Sequence, residues 1–204
     1  CVYCMPEEGV ESVAHNDILK FDEILRICRV LAKNGLKKVK ITGGEPLLCH
    51  DIEDFITRIK SYGLLVKLDT NGSFPQKLEA LLNKGLIDYV AMDIKNSKDK
   101  YAITAGVDSF PENIEKSIDI IMNKAPDYEF RTTVVRELHT TQDIVNIAKR
   151  INNAKKYYLQ SYVDSGDTIK SGFSAYSASE MLEILDITRK ILPIPMRLLS
   201  LSNL

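Results

Sequence analysis

The stretch that decides the fold is Val39-Lys40-Ile41-Thr42-Gly43-Gly44-Glu45-Pro46. Its first four residues alternate apolar and polar side chains, as a short β-strand does, and they run directly into a turn built on two glycines. Residues 21–32 before it repeat apolar side chains at helical spacing up to Gly35, and residues 52–59 after it show the same spacing. The stretch is therefore one strand in a chain that alternates helices and strands.

The same alternation continues through the rest of the chain. Four more strands are predicted at 64–69, 89–94, 128–135 and 157–163, each separated from the next by a helical pattern. Asp51 is the expected cap of the second helix, and Ser177 and Glu180 have capping-box spacing at the start of the last one. Strict alternation predicts a parallel sheet with helical crossovers, which both an open doubly wound sheet and a barrel provide.

Each predicted strand has one apolar face and one polar face, because side chains two residues apart share a face. A closed eight-stranded barrel would fill its interior with branched apolar side chains, and an open sheet covered on both sides would show continuous apolar runs. Neither pattern is present, and five strands are too few for eight units. We therefore expect an α/β fold, a curved sheet with helices outside and a polar, ligand-holding concave face. The polar faces carry Lys40 and Thr42, Lys67 and Asp69, Asp93 and Lys95, Glu129, Arg131 and Thr133, and Gln160 and Tyr162.

Polar or glycine-rich segments follow three of these strands: Gly43-Gly44-Glu45-Pro46, Asp69-Thr70-Asn71-Gly72 and Asp93-Ile94-Lys95. Binding sites of parallel α/β folds collect at the carboxyl ends of strands. Glycines allow a ligand to approach the backbone, and Glu45 can accept hydrogen bonds from an ammonium group. Asp93 and Lys95 suit a ligand with an ammonium and a carboxylate, and they equally suit a structural ion pair.

Composition narrows the class of protein. The chain has 204 residues, of which 45% are apolar, and we expect a single domain. A net charge of −1 offers no basic field for nucleic acid or an anionic membrane. No apolar run approaches the length of about 18 residues needed to span a bilayer, so the expected location is the cytoplasm.

The four cysteines, Cys1, Cys4, Cys28 and Cys49, are too few for a disulfide framework in a chain of this length. The Cys1–Cys4 spacing leaves three interpretations open. Half a zinc site needs a second pair of ligands, a dithiol redox motif needs a helix directly after it, and an iron–sulfur loop needs a further cysteine. Cys28 lies on an apolar helix face and is interpreted as a core residue.

Cys1-Val2-Tyr3-Cys4 resembles the last two ligands of the CxxxCxxC loop of the radical S-adenosylmethionine (SAM) superfamily, with the aromatic Tyr3 before the final cysteine. Gly43-Gly44-Glu45 resembles the motif with which that superfamily binds the amino group of S-adenosylmethionine. The resemblance implies a 4Fe–4S cluster on Cys1, Cys4 and a cysteine four residues earlier. It also implies one radical SAM domain over 1–204, an incomplete (β/α)6 barrel whose first strand precedes Cys1.

Within the superfamily the sequence resembles two families. Residues 1–48 resemble the molybdenum-cofactor enzyme that cyclises GTP, whereas residues 64 onward resemble the activating protein of anaerobic ribonucleoside-triphosphate reductase. The second resemblance rests on residues 68–75, 88–97, 128–140 and 164–167. The cyclase carries a further three-cysteine cluster, and no cysteine follows Cys49, which favours the activating protein.

That resemblance implies a cofactor-binding role for Tyr3, Asn71 and Arg131, and places Lys95 at the cofactor carboxylate. Asp69 and Asp93 would lie beside the cofactor and help to hold a monovalent cation. The expected function is to install a glycyl radical on the reductase, a glycyl radical enzyme, with electrons from a flavodoxin- or ferredoxin-type donor. The alternatives are radical chemistry on a small molecule such as GTP, and a non-catalytic zinc or interaction module.

Overall fold

The computed structural model describes residues 2–3, 18–108, 111–164, 166 and 170–199. Six strands form one parallel sheet in the order β1-β2-β3-β4-β5-β6, so neighbours in sequence are neighbours in the sheet. Sequential order is that of an incomplete (β/α)6 barrel, since a doubly wound sheet reverses its strand order at a switch point. The predicted fold class is confirmed. The strands are β1 (Lys38–Ile41), β2 (Leu65–Thr70), β3 (Tyr89–Asp93), β4 (Tyr128–Val134), β5 (Tyr157–Ser161) and β6 (Met196–Leu199).

Seven α-helices and a short 3₁₀ helix, Pro46–Leu48, join or flank the strands in the described part of the chain. The predicted capping box of Ser177 and Glu180 is present. The prediction of a side-chain cap at Asp51 is wrong, because its backbone (φ −93°, ψ 13°) lacks the extended conformation that lets a cap side chain turn back to the helix. The helices are α1 (Phe21–Lys33), α2 (Ile52–Ser61), α3 (Pro75–Asn83), α4 (Lys98–Ala105), α5 (Glu112–Lys124), α6 (Thr141–Arg150) and α7 (Ala178–Ile191).

The sixth strand was missed in the sequence. Pro193 and Pro195 follow the last helix, and β6 begins at Met196, directly after the second proline. A proline before the first residue of a strand removes no ladder hydrogen bond, and the Pro195 carbonyl accepts one from the backbone N–H of Tyr157. The sheet therefore has six strands among the described residues, where the sequence predicted five.

The described residues divide into two compact units. Unit A comprises those between 18 and 91 and between 113 and 128, and unit B comprises the remainder. In unit A the predicted apolar face of β2, Val66 and Leu68, is fully buried, and Cys28 is a buried core residue as expected. In unit B the core includes Phe130 of β4 and Tyr157 and Leu159 of β5, which are all 0% exposed.

Across the part of the chain that the structure describes, no helix combines the length and the apolar character needed to cross a membrane.

Candidate functional site

Glu45 joins the ends of two strands in unit A. It follows β1 and caps the 3₁₀ helix, where its Oε1 accepts a hydrogen bond from the backbone N–H of Leu47 at 3.1 Å. The hydroxyl of Thr70, at the end of β2, donates to both carboxylate oxygens (3.0 and 3.1 Å), and the backbone N–H of Asn71 donates to Oε2 at 2.6 Å. The carboxylate is buried, so these charge-assisted bonds are strong. Glu45 therefore has a structural role that its motif alone did not reveal.

Gly43 and Gly44 form an exposed turn beside this buried carboxylate. Gly43 has a φ of +151°, which side-chain-bearing residues rarely adopt. A Cβ atom built on either glycine meets no heavy atom within 4 Å. The backbone at the carboxyl end of β1 is thus exposed and sterically open, and the role of Gly43 and Gly44 in ligand binding stays a prediction.

The turn after β2 is fixed by its own polar groups and by α5. The side chain of Asn71 accepts a hydrogen bond from the N–H of Ser73 at 2.9 Å, and Ser117 donates to the carbonyl of Gly72 at 2.7 Å. The hydroxyl of Thr42 lies 3.5 Å from Oδ2 of Asp69, which is buried. Asn71 and Asp69 thus occupy the strand-end positions expected of them, within a turn that is already ordered.

In unit B, Asp93 receives two cationic side chains. Lys95 Nζ lies 3.1 Å from Oδ2 and Arg131 Nε lies 2.9 Å from Oδ1, while Arg131 Nη1 is 3.9 Å from a carboxylate oxygen of Glu129. Burial raises the pKa of Asp93, but the charges and hydrogen bonds of Lys95 and Arg131 outweigh it, and the pKa is lowered from its ordinary value. Of the two interpretations of Asp93 and Lys95, the structural ion pair is present, and Arg131 joins it; their contact with a ligand stays a prediction.

Tyr3 lies inside an apolar cluster of unit B rather than on an open surface. It is 3% exposed and packs edge-on against Tyr162, with ring centroids 6.1 Å apart. Val2 belongs to the same cluster as Val135, and its carbonyl accepts a hydrogen bond from the N–H of Lys170 at 3.1 Å. The segment between the two predicted cluster ligands is therefore anchored to unit B. Cys1 and Cys4 themselves lie outside the described residues.

Two buried residues near Lys95 were missed by sequence reasoning. Neither His139 nor Tyr101 was assigned a role from the sequence. Both are almost fully buried, at 0% and 2% exposure, and both hydrogen-bond the backbone of Lys95. No local pattern signals such contacts, because α4 and the turn after β4 bring them to Lys95 only in the folded chain.

Among the residues with described positions, no group of three or more His, Cys, Asp or Glu side chains is placed to hold a metal ion. The monovalent cation expected near Asp69 and Asp93 stays a prediction.

Comparison with known proteins settles the family. The profile of the Radical SAM superfamily matches residues 1–151. The chain belongs to the radical SAM superfamily. This superfamily uses a 4Fe–4S cluster and S-adenosylmethionine, as the cysteine loop and the Gly-Gly-Glu motif implied.

Curated relatives of this radical SAM chain are named GTP 3',8-cyclase. That of Pelotomaculum thermopropionicum is 33% identical over 159 residues, which cover 74% of this chain and 48% of that protein. That of Clostridium botulinum (strain Okra / Type B1) is 26% identical over 189 residues, covering 83% and 58%. The chain thus spans about half the length of the curated relatives it matches.

Solved radical SAM structures share the fold. Streptococcus suis SuiB has a TM-score of 0.73 at 16% identity, over 98% of this chain and 46% of that one. The same protein bound to S-adenosylmethionine has a TM-score of 0.69 at 15% identity, over 93% and 45%. A domain of pyruvate-formate lyase-activating enzyme from Bacteroides vulgatus has a TM-score of 0.62 at 16% identity, over 80% and 99%. At these identities the likeness shows the fold alone.

The expected activating function is contradicted by these relatives, whose names indicate cyclisation of GTP. That expectation depended on the absence of cysteines after Cys49. Because the matched chains extend over about twice the aligned length, a cluster missing from these 204 residues says nothing about an enzyme of that size. No comparison bears on the partner proteins that the expectation included.

Proposed function

We propose that this chain is the radical SAM part of an enzyme that acts on GTP or a closely related purine nucleotide. The observation that carries the proposal is the 33% identity to a named GTP 3',8-cyclase over 74% of the chain. The resemblance of residues 1–48 to the GTP-cyclising family supports the same substrate.

Cys1 and Cys4 would hold two irons of the cluster, and the anchoring of Val2 and Tyr3 would keep their loop in place. When bound, the cluster and S-adenosylmethionine supply radical chemistry that begins with a one-electron reduction. A flavodoxin- or ferredoxin-type protein is the proposed electron donor.

The open backbone at Gly43 and Gly44 fits a ligand that lies close to the chain, and its carbonyls would accept hydrogen bonds from the amino group of S-adenosylmethionine. Glu45 would keep this turn in place by holding the turn after β2. Asp69 and Asn71 are proposed to line the same strand ends.

Lys95 is proposed to bind the carboxylate of S-adenosylmethionine. Its side chain is 14% exposed and that of Arg131 is 13% exposed, so both charges lie in surroundings where an added anion is weakly screened. Asp93 holds both cations in fixed positions before any ligand arrives. This preorganisation reduces the cost of ordering long side chains on binding.

The test uses protein expressed from its complete reading frame and purified without oxygen. With reductant, S-adenosylmethionine and GTP, we expect 5′-deoxyadenosine and loss of GTP to a rearranged nucleotide, both followed by liquid chromatography with mass spectrometry. ATP and CTP in place of GTP are the substrate controls. Formation of 5′-deoxyadenosine with GTP unchanged would contradict the proposed substrate.

Matched cysteine variants test the cluster. Cys4→Ser is expected to lose bound iron and sulfide, whereas Cys49→Ser is expected to retain them, because Cys49 follows the 3₁₀ helix in unit A and is not a proposed ligand. Equal iron in the two variants would argue against the proposed ligands.

A further inference from the structure

The backbone of Lys95 is held as firmly as its side chain. Lys95 comes two residues after the last residue of β3, beyond the regular ladder of the sheet. Its ammonium donates a hydrogen bond to the carboxylate of Asp93. The carbonyl of the preceding residue, Ile94, accepts a hydrogen bond from the hydroxyl of Thr132 at 2.8 Å. The direction in which the ammonium reaches is therefore set by where this peptide lies.

His139 holds the carbonyl of Lys95. Its ring is fully buried, and Nε2 lies 2.8 Å from that carbonyl oxygen. The carbonyl of Lys95 can only accept, so Nε2 carries a proton. Nδ1 lies 3.1 Å from the backbone nitrogen of Val135, whose N–H donates to it, and 3.3 Å from the Val135 carbonyl oxygen. Tyr176 donates to the carbonyl of His139 at 2.7 Å and helps to fix the turn that carries the ring.

Tyr101, in α4, also hydrogen-bonds Lys95. Its hydroxyl hydrogen-bonds the backbone of Lys95, and the side chain is 2% exposed. Burial raises the pKa of Tyr101 to about 12, against the opposing charges of Lys95 and Arg150. The hydroxyl therefore keeps its proton at neutral pH.

We propose that His139 and Tyr101 are positioning residues that clamp the peptide of Lys95 and so aim its ammonium at an anionic group of the ligand. The inference rests on the proposed role of Lys95 toward the carboxylate of S-adenosylmethionine. Neither ring needs to touch the ligand: both act through Lys95. A merely structural role would lower stability and leave affinity unchanged, whereas a clamp predicts loss of affinity in protein that remains folded.

Tyr101→Phe removes one hydroxyl and keeps the ring, and His139→Phe removes both ring nitrogens. His139→Gln keeps an amide that can donate to the Lys95 carbonyl and accept from Val135. The control is Thr188→Val, which removes a fully buried hydroxyl that donates to the carbonyl of Ile184 at 2.8 Å within α7 of the same unit. It tests the effect of losing a buried hydrogen bond away from Lys95.

Binding of S-adenosylmethionine to the reconstituted protein is measured by anaerobic calorimetry, and folding by thermal denaturation. We expect affinity to fall about three- to tenfold in Tyr101→Phe and more than tenfold in His139→Phe, with partial recovery in His139→Gln. Thr188→Val should bind like the wild type. In turnover, KM for S-adenosylmethionine should rise while kcat changes little.

Wild-type affinity in folded Tyr101→Phe and His139→Phe would overturn the clamp, as would an equal loss in Thr188→Val. Nitrogen-15 NMR of the histidine ring gives a readout that needs no variant, and a ring without a proton on Nε2 would also overturn it. These results are separate from the substrate proposal, because unchanged GTP alongside intact S-adenosylmethionine binding refutes only the latter.

Discussion

Oε2 of Glu45 lies 2.6 Å from the backbone nitrogen of Asn71, and this contact ties the turn after β1 to the turn after β2. With Leu47 and Thr70 it gives the carboxylate three donors inside a buried position. Leaving a buried carboxylate without these donors would cost free energy of folding. Glu45, although part of a ligand-binding motif, therefore also stabilises the fold of unit A.

Glu45→Gln should destabilise the protein by about 1.5–3 kcal/mol, because the new amide group places a donor near the N–H groups that need an acceptor. Urea unfolding at neutral pH measures the change. Glu53→Gln is the control, since Glu53 pairs with Lys84 on an exposed surface, where a change of under about 0.5 kcal/mol is expected. Similar losses in both variants would show that the Glu45 contacts contribute nothing special.

Alanine should destabilise the protein at Gly43 but not at Gly44. Gly43→Ala forces a side chain into φ +151° and is expected to cost about 1–3 kcal/mol. Gly44→Ala has no such strain and should leave the melting temperature unchanged or slightly higher.

The added methyl group of Gly44→Ala fills the open space at the turn, so it should weaken binding of S-adenosylmethionine in a protein of normal stability. Calorimetry on the reconstituted protein checks this expectation. Unchanged affinity would place the ligand away from this turn.

Asp93→Asn removes the carboxylate that Lys95 and Arg131 share. Because the Asp93 side chain is 32% exposed, water offsets part of the loss, and we expect a cost of about 1–2 kcal/mol in chemical denaturation. Asp186→Asn, at an exposed ion pair with Arg189, is the control and should change stability by under about 0.5 kcal/mol.

The stability that Asp93 contributes should depend on pH in the acid range. The folded-state pKa of Asp93 is lowered, so its contribution is present above the ordinary pKa of about 3.9 and is lost as the pH falls through the lowered value. The difference in stability between wild type and Asp93→Asn should therefore shrink below about pH 4. A difference that stayed constant into strong acid would mean that the charge of Asp93 is not what stabilises the site.

The strand-end positions of Gly43, Asp69 and Asp93 were predictable because strand periodicity and turn residues are local signals. The sixth strand was not, since β6 is four residues long and follows two prolines. Glu45 hydrogen-bonds Asn71, 26 positions away, and His139 hydrogen-bonds Lys95, 44 positions away. No local sequence pattern encodes such pairs. The choice between the two families failed for another reason, because it relied on the absence of cysteines after Cys49.

His139 should make the protein sensitive to mild acid. Burial lowers its pKa, against the opposing influence of its hydrogen bonds and of Asp143, while Lys100 adds to the lowering. In the unfolded chain the imidazole takes a proton near pH 6.5, but the folded protein resists it because a buried ring is costly to charge. Stability is thus fully present above about pH 6.5 and falls as the pH drops toward the lowered value, with a slope of at most about 1.4 kcal/mol per pH unit from this group. Urea unfolding of wild type and His139→Gln between pH 7.5 and 4.5 measures this difference, and the variant should lack the added slope. Identical pH profiles would mean that the ring titrates as freely in the fold as in the unfolded chain.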